Sequence, residues 1–344
     1  MSRAPIAERL QSQMLSGPAA GSPLEVAERL LAVQGQDQRG ARLAIRARST
    51  GLSAADVDAA LTQERSLLIT WLNRGTLHLV SSEDFPWLLQ LTAPRLLGAC
   101  ERRLAQLGVD SRAGEKGVRV IERALSREGP LDRMKLRERL FQAGLPVEGQ
   151  APLHVLMLAC VRGIAVRGPM IEGHHAYAHV ADWLAPSGPI DRDRALAELA
   201  RRYLAGHGPG DDRDLARWSG LGLGEVRSGL RAIAPQLRER PDGLLELRGA
   251  PSPQPLPSPR LLGAFDPLLL GWCSREDLLG EHAPKITVGG MFRPFALIAG
   301  RAKAVWGMPR GEVAIESLES LSASERRALE LDGREVARFL GSAA

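Results

Sequence analysis

The chain has 344 residues, of which 44% are hydrophobic, 25% charged and 4% aromatic, and its 45 Lys+Arg against 40 Asp+Glu give a net charge of +5. This length suits two or three domains at roughly 100–200 residues each, and the composition is that of a folded globular chain rather than a disordered one. No run approaches the ~18 apolar residues of a membrane span, and the N-terminal MSRAPIAERLQSQML lacks a signal-peptide apolar stretch, so secretion and a membrane partner are disfavoured and a cytoplasmic location is expected.

Pro23–Gln34 places Leu24, Ala27, Leu30 and Leu31 at helical spacing, and Ser53–Gln63 follows as a short helix capped by Ser53. Ser66–Leu72 reads as a strand, Asn73-Arg74-Gly75 as a turn, and Thr76–Val80 as the return strand. Ser81, three residues before Asp84, resembles a capping box opening a helix from about Glu83 to Leu107. Val118–Ser126, Arg133–Phe141 and the very apolar Pro152–Val161 are expected helices, followed by a hairpin of Gly163–Arg167 and Ala176–Val180. Helices near Asp191–Leu204, Asp214–Ser219 and Gly224–Ile233 precede a third hairpin, Leu237–Arg240 and Leu244–Arg248.

Helices ending in a two-stranded wing, three times in tandem, outline winged helix-turn-helix modules. Ala250–Pro259 is an extended proline-rich linker. Beyond it, Ile286–Val288, Phe295–Ile298 and Lys303–Trp306 predict a small β-barrel or sheet, closed by a helix from Ser324 to Phe339. The expected fold class is α+β and mainly helical. The expected domains are residues 1–110 (winged helix 1), 111–187 (winged helix 2), 188–250 (winged helix 3) and 251–344 (β-rich).

The basic excess is almost all arginine, with lysine only at Lys116, Lys135, Lys285 and Lys303. Arginine suits phosphate because its planar fork donates two parallel hydrogen bonds, although GC-rich coding gives the same bias. Three dispersed cysteines (Cys100, Cys160, Cys273) without a C-x-x-C pair fit neither a disulfide framework nor a cysteine zinc site. Gln34-Gly35-Gln36-Asp37 is the most unusual segment. Two amides two apart share a side only in extended chain, so the helix must end or distort near Gly35 if they act together. Arg39, Arg42 and Arg46, in an acid-free stretch, share one helical face and suggest a phosphate track beside a reacting site. The same spacing also fits a polar helix end followed by a solvated face. On the first hairpin, Thr76 and His78 share a strand face, and Arg74 sits at the tip, where a wing can meet phosphate or the minor groove. His174, His175 and His179 lack the partners a zinc site needs, and Asp211–Asp214 reads as helix capping.

Several segments resemble the bacterial winged-helix DNA glycosylases of the AlkZ-like group, which unhook interstrand crosslinks. The resemblance rests on Ala32–Asp37, Arg74–Val80, Asp214–Leu221, Ala264–Trp272 and Phe292–Pro294. It implies a C-shaped molecule of three winged helices and a β-barrel that grips duplex DNA. The family's paired catalytic glutamines fall on Gln34 and Gln36, the Gln-x-Gln branch, and its DNA-contacting hairpin residues on Thr76 and His78. Gly35 stands where the family has a bulkier apolar residue. The implied activity is monofunctional hydrolysis of the N-glycosidic bond of bulky N7-alkylguanines or crosslinks, without a cofactor or metal, in repair or self-resistance to a genotoxin. A monomer acting on duplex DNA that carries alkylated or crosslinked guanine is expected. The alternative is a non-catalytic winged-helix DNA-binding protein.

Overall fold

Leu67–Leu72 (LLITWL) shows no polar alternation, and the strand it forms is buried along its whole length. In the computed structural model, which describes residues 5–186, 188 and 190–341, that strand belongs to the second of two units. This unit runs from Asp58 to Ala195, and the first unit joins the residues up to Val57 to those from Leu196 onward. Four domains were expected, one boundary falling at residue 187, outside the described residues.

In the second unit, Leu67–Leu72 pairs antiparallel with Thr76–Ser81, Thr70 opposite His78 and Leu72 opposite Thr76. Asn73 (φ 52°) and Gly75 (φ 82°) make the turn in left-handed conformations, which asparagine and glycine tolerate best. The second hairpin, Ala165–Ile171 with His174–His179, is longer than expected and turns at Glu172-Gly173. The two hairpins meet where Ile69 lies opposite Arg167, and Leu131–Asp132 adds along Ala176 and Tyr177.

The helix Ala151–Val161 packs against Phe85–Gln106 and Ser111–Glu128. At Gly117 a Cβ would lie 2.5 Å from Val155 Cγ1, so this close crossing requires glycine. The capping box expected at Ser81 does not form. Ser81 ends the strand and its hydroxyl accepts from the Glu83 amide, while the Asp84 carboxylate accepts from Trp87 Nε1 at 3.0 Å.

In the first unit, Ser22 caps the helix Pro23–Leu30 by accepting from the Glu25 amide. The helix stops four residues short of the expected Gln34, because Leu31 turns left-handed (φ 62°) and Val33–Gln34 is extended. Arg192–His207, Asp212–Ser219 and Leu223–Ala232 precede the third hairpin, Leu237–Glu239 with Leu245–Leu247. Gly210 and Leu245 exchange both backbone hydrogen bonds, at 3.1 and 2.9 Å.

Residues 251–259 form no regular element, as the proline density requires. The C-terminal strands make an open four-stranded antiparallel sheet in the order Ala314–Ser317, Arg301–Gly307, Phe295–Ile298, Arg260–Leu262. It does not close into a barrel, and Thr287–Val288 pairs separately with Met291–Phe292. Leu262, Phe265, Leu269, Phe295 and Val305 fill the core beneath it together with Leu10 and Leu15. The closing helix, Ala323–Leu340, starts in a Ser322/Glu325 capping box. Among the described residues no helix is long and apolar enough to cross a membrane.

Candidate active site and nucleic-acid interface

On the first unit, the chain from Val33 to Asp37 leaves a strand and enters a helix. Gln34 is 6% exposed, and its carbonyl Oε1 has no hydrogen-bond partner among the described residues. Gln36 is exposed, with Gly35 buried between them. Extended backbone at Gln34 therefore replaces the helical geometry that would point the two amides apart. Asp37 caps the helix Gln38–Arg46, its carboxylate accepting from the Gly40 amide. A Cβ at Gly40 would lie 2.3 Å from the Ala264 carbonyl oxygen, so this helix start is seated directly on the backbone of residue 264.

The arginine row is not the solvated face the spacing suggested. Arg39 is exposed, but Arg42 is buried and its Nη1 donates to the Gln38 carbonyl at 3.1 Å. Arg46 is buried too. Its two terminal nitrogens donate to the Asp332 carboxylate, both at 2.9 Å, and Nη2 also donates to the Leu261 carbonyl at 2.8 Å. The next arginine, Arg48, is wholly buried in a bidentate pair with Asp266 at 2.8 and 2.9 Å, with Gln13 Oε1 accepting at 2.8 Å. Arg46 and Arg48 thus fasten the helix to the C-terminal segments. Spacing reveals that residues share a face, but not whether that face looks out.

On the second unit, Arg74 is exposed at the hairpin tip, and Thr76 Oγ1 is buried without a partner among the described residues. His78 is 7% exposed, and its Nδ1 lies 2.9 Å from the Thr76 carbonyl. Burial pulls its pKa down to about 4; the Arg74 charge pulls the same way, and the Thr76 bond opposes. The ring is neutral at pH 7. A carbonyl can only accept, so Nδ1 carries the proton and Nε2 is left as an acceptor. His78 therefore offers a lone pair at Nε2. Asn73, read from sequence only as a turn residue, is 5% exposed with neither amide atom partnered among the described residues.

The remaining candidates are structural. His174 is exposed, His175 is buried and His179 contacts Asp182 at 3.0 Å; no three His, Cys, Asp or Glu side chains among the described residues gather as metal ligands. Asp211 and Asp214 cap the helix Asp212–Ser219 as expected, in a capping box. Cys100 and Cys160 are buried free thiols, and burial pushes both pKa values up. His207, Tyr203, Trp218 and Trp272 make a buried aromatic cluster in which Trp272 Nε1 donates to the His207 carbonyl at 2.9 Å.

The sequence pattern of DNA glycosylases described as AlkZ-like matches residues 27–339, from within the helix Pro23–Leu30 to the closing helix. The chain belongs to the AlkZ-like DNA glycosylase family. A relative, the interstrand DNA cross-link repair glycosylase of Streptomyces sahachiroi, is 25% identical over 366 residues, covering 97% of this chain and 95% of that protein. The solved structure of the Streptomyces sahachiroi DNA glycosylase AlkZ matches with a TM-score of 0.79 and 25% identity, over 98% of this chain and 96% of that one. The AlkZ-like family implies hydrolysis of N-glycosyl bonds in DNA. Several residues in the segments that resemble the family are architectural. Asp266 pairs with Arg48 and caps the turn Pro267–Leu270, while Trp218 and Trp272 fill the aromatic cluster.

Proposed function

We propose that this protein hydrolyses the N-glycosidic bond of bulky N7-alkylguanines in duplex DNA, interstrand crosslinks included, with Gln34 and Gln36 as catalytic residues. The crosslink assignment leans on what the Streptomyces sahachiroi relative is named for. The observation that carries the catalytic assignment is the buried carbonyl of Gln34, which has no hydrogen-bond partner among the described residues, two positions before the exposed Gln36. A buried acceptor left unpaired costs about 1–3 kcal/mol, and a substrate or nucleophilic water that donates to it recovers that cost at the moment of reaction.

An N7-alkylated guanine is already cationic. As C1′–N9 breaks, the bonding pair returns to the base, which leaves neutral, and positive charge moves to the sugar. Water oxygen bonds to C1′ and releases a proton to solvent. No strong base is required, which agrees with Asp37 being engaged as a cap. The two amide carbonyls orient the water and favour the developing charge, both being positioning and electrostatic effects.

Arg74, Thr76, His78 and Arg39 are the proposed DNA contacts, His78 as an acceptor. Two segments support the winged-helix reading by topology. In Ser111–His179 and in Arg192–Leu247 a helix, a short extended piece and two helices precede a hairpin. In both, the short piece pairs with the hairpin's second strand.

The test is incubation of the protein with duplexes bearing N7-alkylguanine monoadducts and crosslinks, scored for abasic sites. Excision of the cationic adducts, and none of unmodified guanine, is expected. Duplex binding without excision of any adduct would make the protein a binder.

A further inference from the structure

A cavity of about 350 Å³ in the first unit has the third hairpin as one wall and the proline-rich stretch after it as another. That volume is at the lower end of small-molecule pockets. Four arginines line it: Arg29, Arg238, Arg240 and Arg248. Two of them are neutralised locally. Arg238 pairs with Glu246, and Arg240 lies 3.2 Å from Glu8, 3.2 Å from Asp242 and 3.4 Å from Glu246.

Glu8 and Glu246 are the carboxylates of the cavity wall, and both are taken. Arg29 and Arg248 have no carboxylate partner among the described residues. Arg29 is half-buried, and its Nε donates to the Ser12 carbonyl at 2.9 Å. Burial lowers its pKa with no neighbouring acid to offset it, whereas Arg9, similarly desolvated, faces Asp214. The wall adds further donors. Gln11 Oε1 accepts from the Gln254 amide at 3.0 Å, leaving its NH₂ group, and Ser12 and Ser252 supply hydroxyls.

Two guanidinium groups with no carboxylate partner among the described residues line the cavity together with amide and hydroxyl donors, the chemistry that a tetrahedral oxyanion accepts. We propose that this cavity binds a phosphate group, with Arg29 and Arg248 as its counter-charges. A backbone phosphate of DNA and a free phosphorylated small molecule share that chemistry. The inference stands apart from the glycosylase reading.

The experiment titrates the full chain with inorganic phosphate by calorimetry at low ionic strength. Wild type is compared with Arg29→Gln/Arg248→Gln and with Arg327→Gln, an exposed control on the closing helix. Wild type and control are expected to bind alike, and the double variant at least ten-fold more weakly. Arg248→Gln alone, at an exposed position, serves if the double variant does not fold. The same proteins are then titrated with unmodified duplex across a salt series. A slope of log K against log salt that falls by about one to two in the double variant assigns the site to the DNA backbone. Weakened phosphate binding with an unchanged slope assigns it to a free phosphorylated ligand. If the folded variant shows neither change, the proposal is overturned.

Discussion

Gln34 and His78 show how a residue's role emerges from what surrounds it. A glutamine continuing the spacing of Ala27 and Leu31 reads in sequence as the polar end of a helix; its backbone is instead extended, and its carbonyl is buried without a partner among the described residues. Removing an orphaned buried polar atom is neutral or stabilising. Gln34→Leu is therefore expected to keep or raise the melting temperature while abolishing excision, and a clear drop in thermal melting would contradict this. Burial likewise decides the histidines. His78 and His207 have pKa values of about 4 and about 3 against 6.5 when unfolded, burial being the leading cause for both. Because the unfolded chain binds the extra protons, their stabilising contribution is full above about pH 6.5 and is lost as pH falls toward the folded values. From pH 6.5 to pH 5 each accounts for about 1.6 kcal/mol. Denaturant unfolding at those two pH values checks this: His207→Phe should flatten the dependence by that share, and an unchanged slope would refute it.

Elements were legible where their determinants are local. The Asn-Arg-Gly turn and the Asp211–Asp214 cap are written within a few residues of where they act. The direction a helix faces was not. Arg46 shares its face with Arg42, and the partner that turns it inward, Asp332, lies 286 residues away. Arg39 and Arg46 should therefore separate in a salt series with duplex DNA. Arg39→Gln is expected to reduce the slope of log K against log salt by about one. Arg46→Gln should leave that slope unchanged and lower thermal stability instead; a fall in slope for Arg46→Gln would restore the arginine track.

Across the whole chain, the net charge of +5 says less than where the charges are housed. Linker signals suggested contiguous domains, yet contacts join the residues up to Val57 to those from Leu196 onward. The clearest bond within that unit is the fully buried Arg48–Asp266 pair, between positions 218 residues apart. Asp266→Asn leaves a buried guanidinium uncompensated and should cost about 3–5 kcal/mol in denaturant unfolding. The apolar pair Arg48→Met/Asp266→Leu should recover most of that loss, and if both variants were equally destabilised the ion-pair account would fail. The segments that resemble the family include architectural residues such as Asp266 and Trp272, so family membership is marked in the sequence independently of the catalytic assignment.

Single-turnover excision of an N7-alkylguanine from duplex DNA, by wild type, Gln34→Leu and Gln36→Ala, tests the catalytic assignment most directly. Each variant should lose at least about 100-fold in rate while binding unmodified duplex as wild type does, the scale expected when a preorganised transition-state contact is removed. Wild-type rates in both folded variants would place the chemistry elsewhere in the molecule.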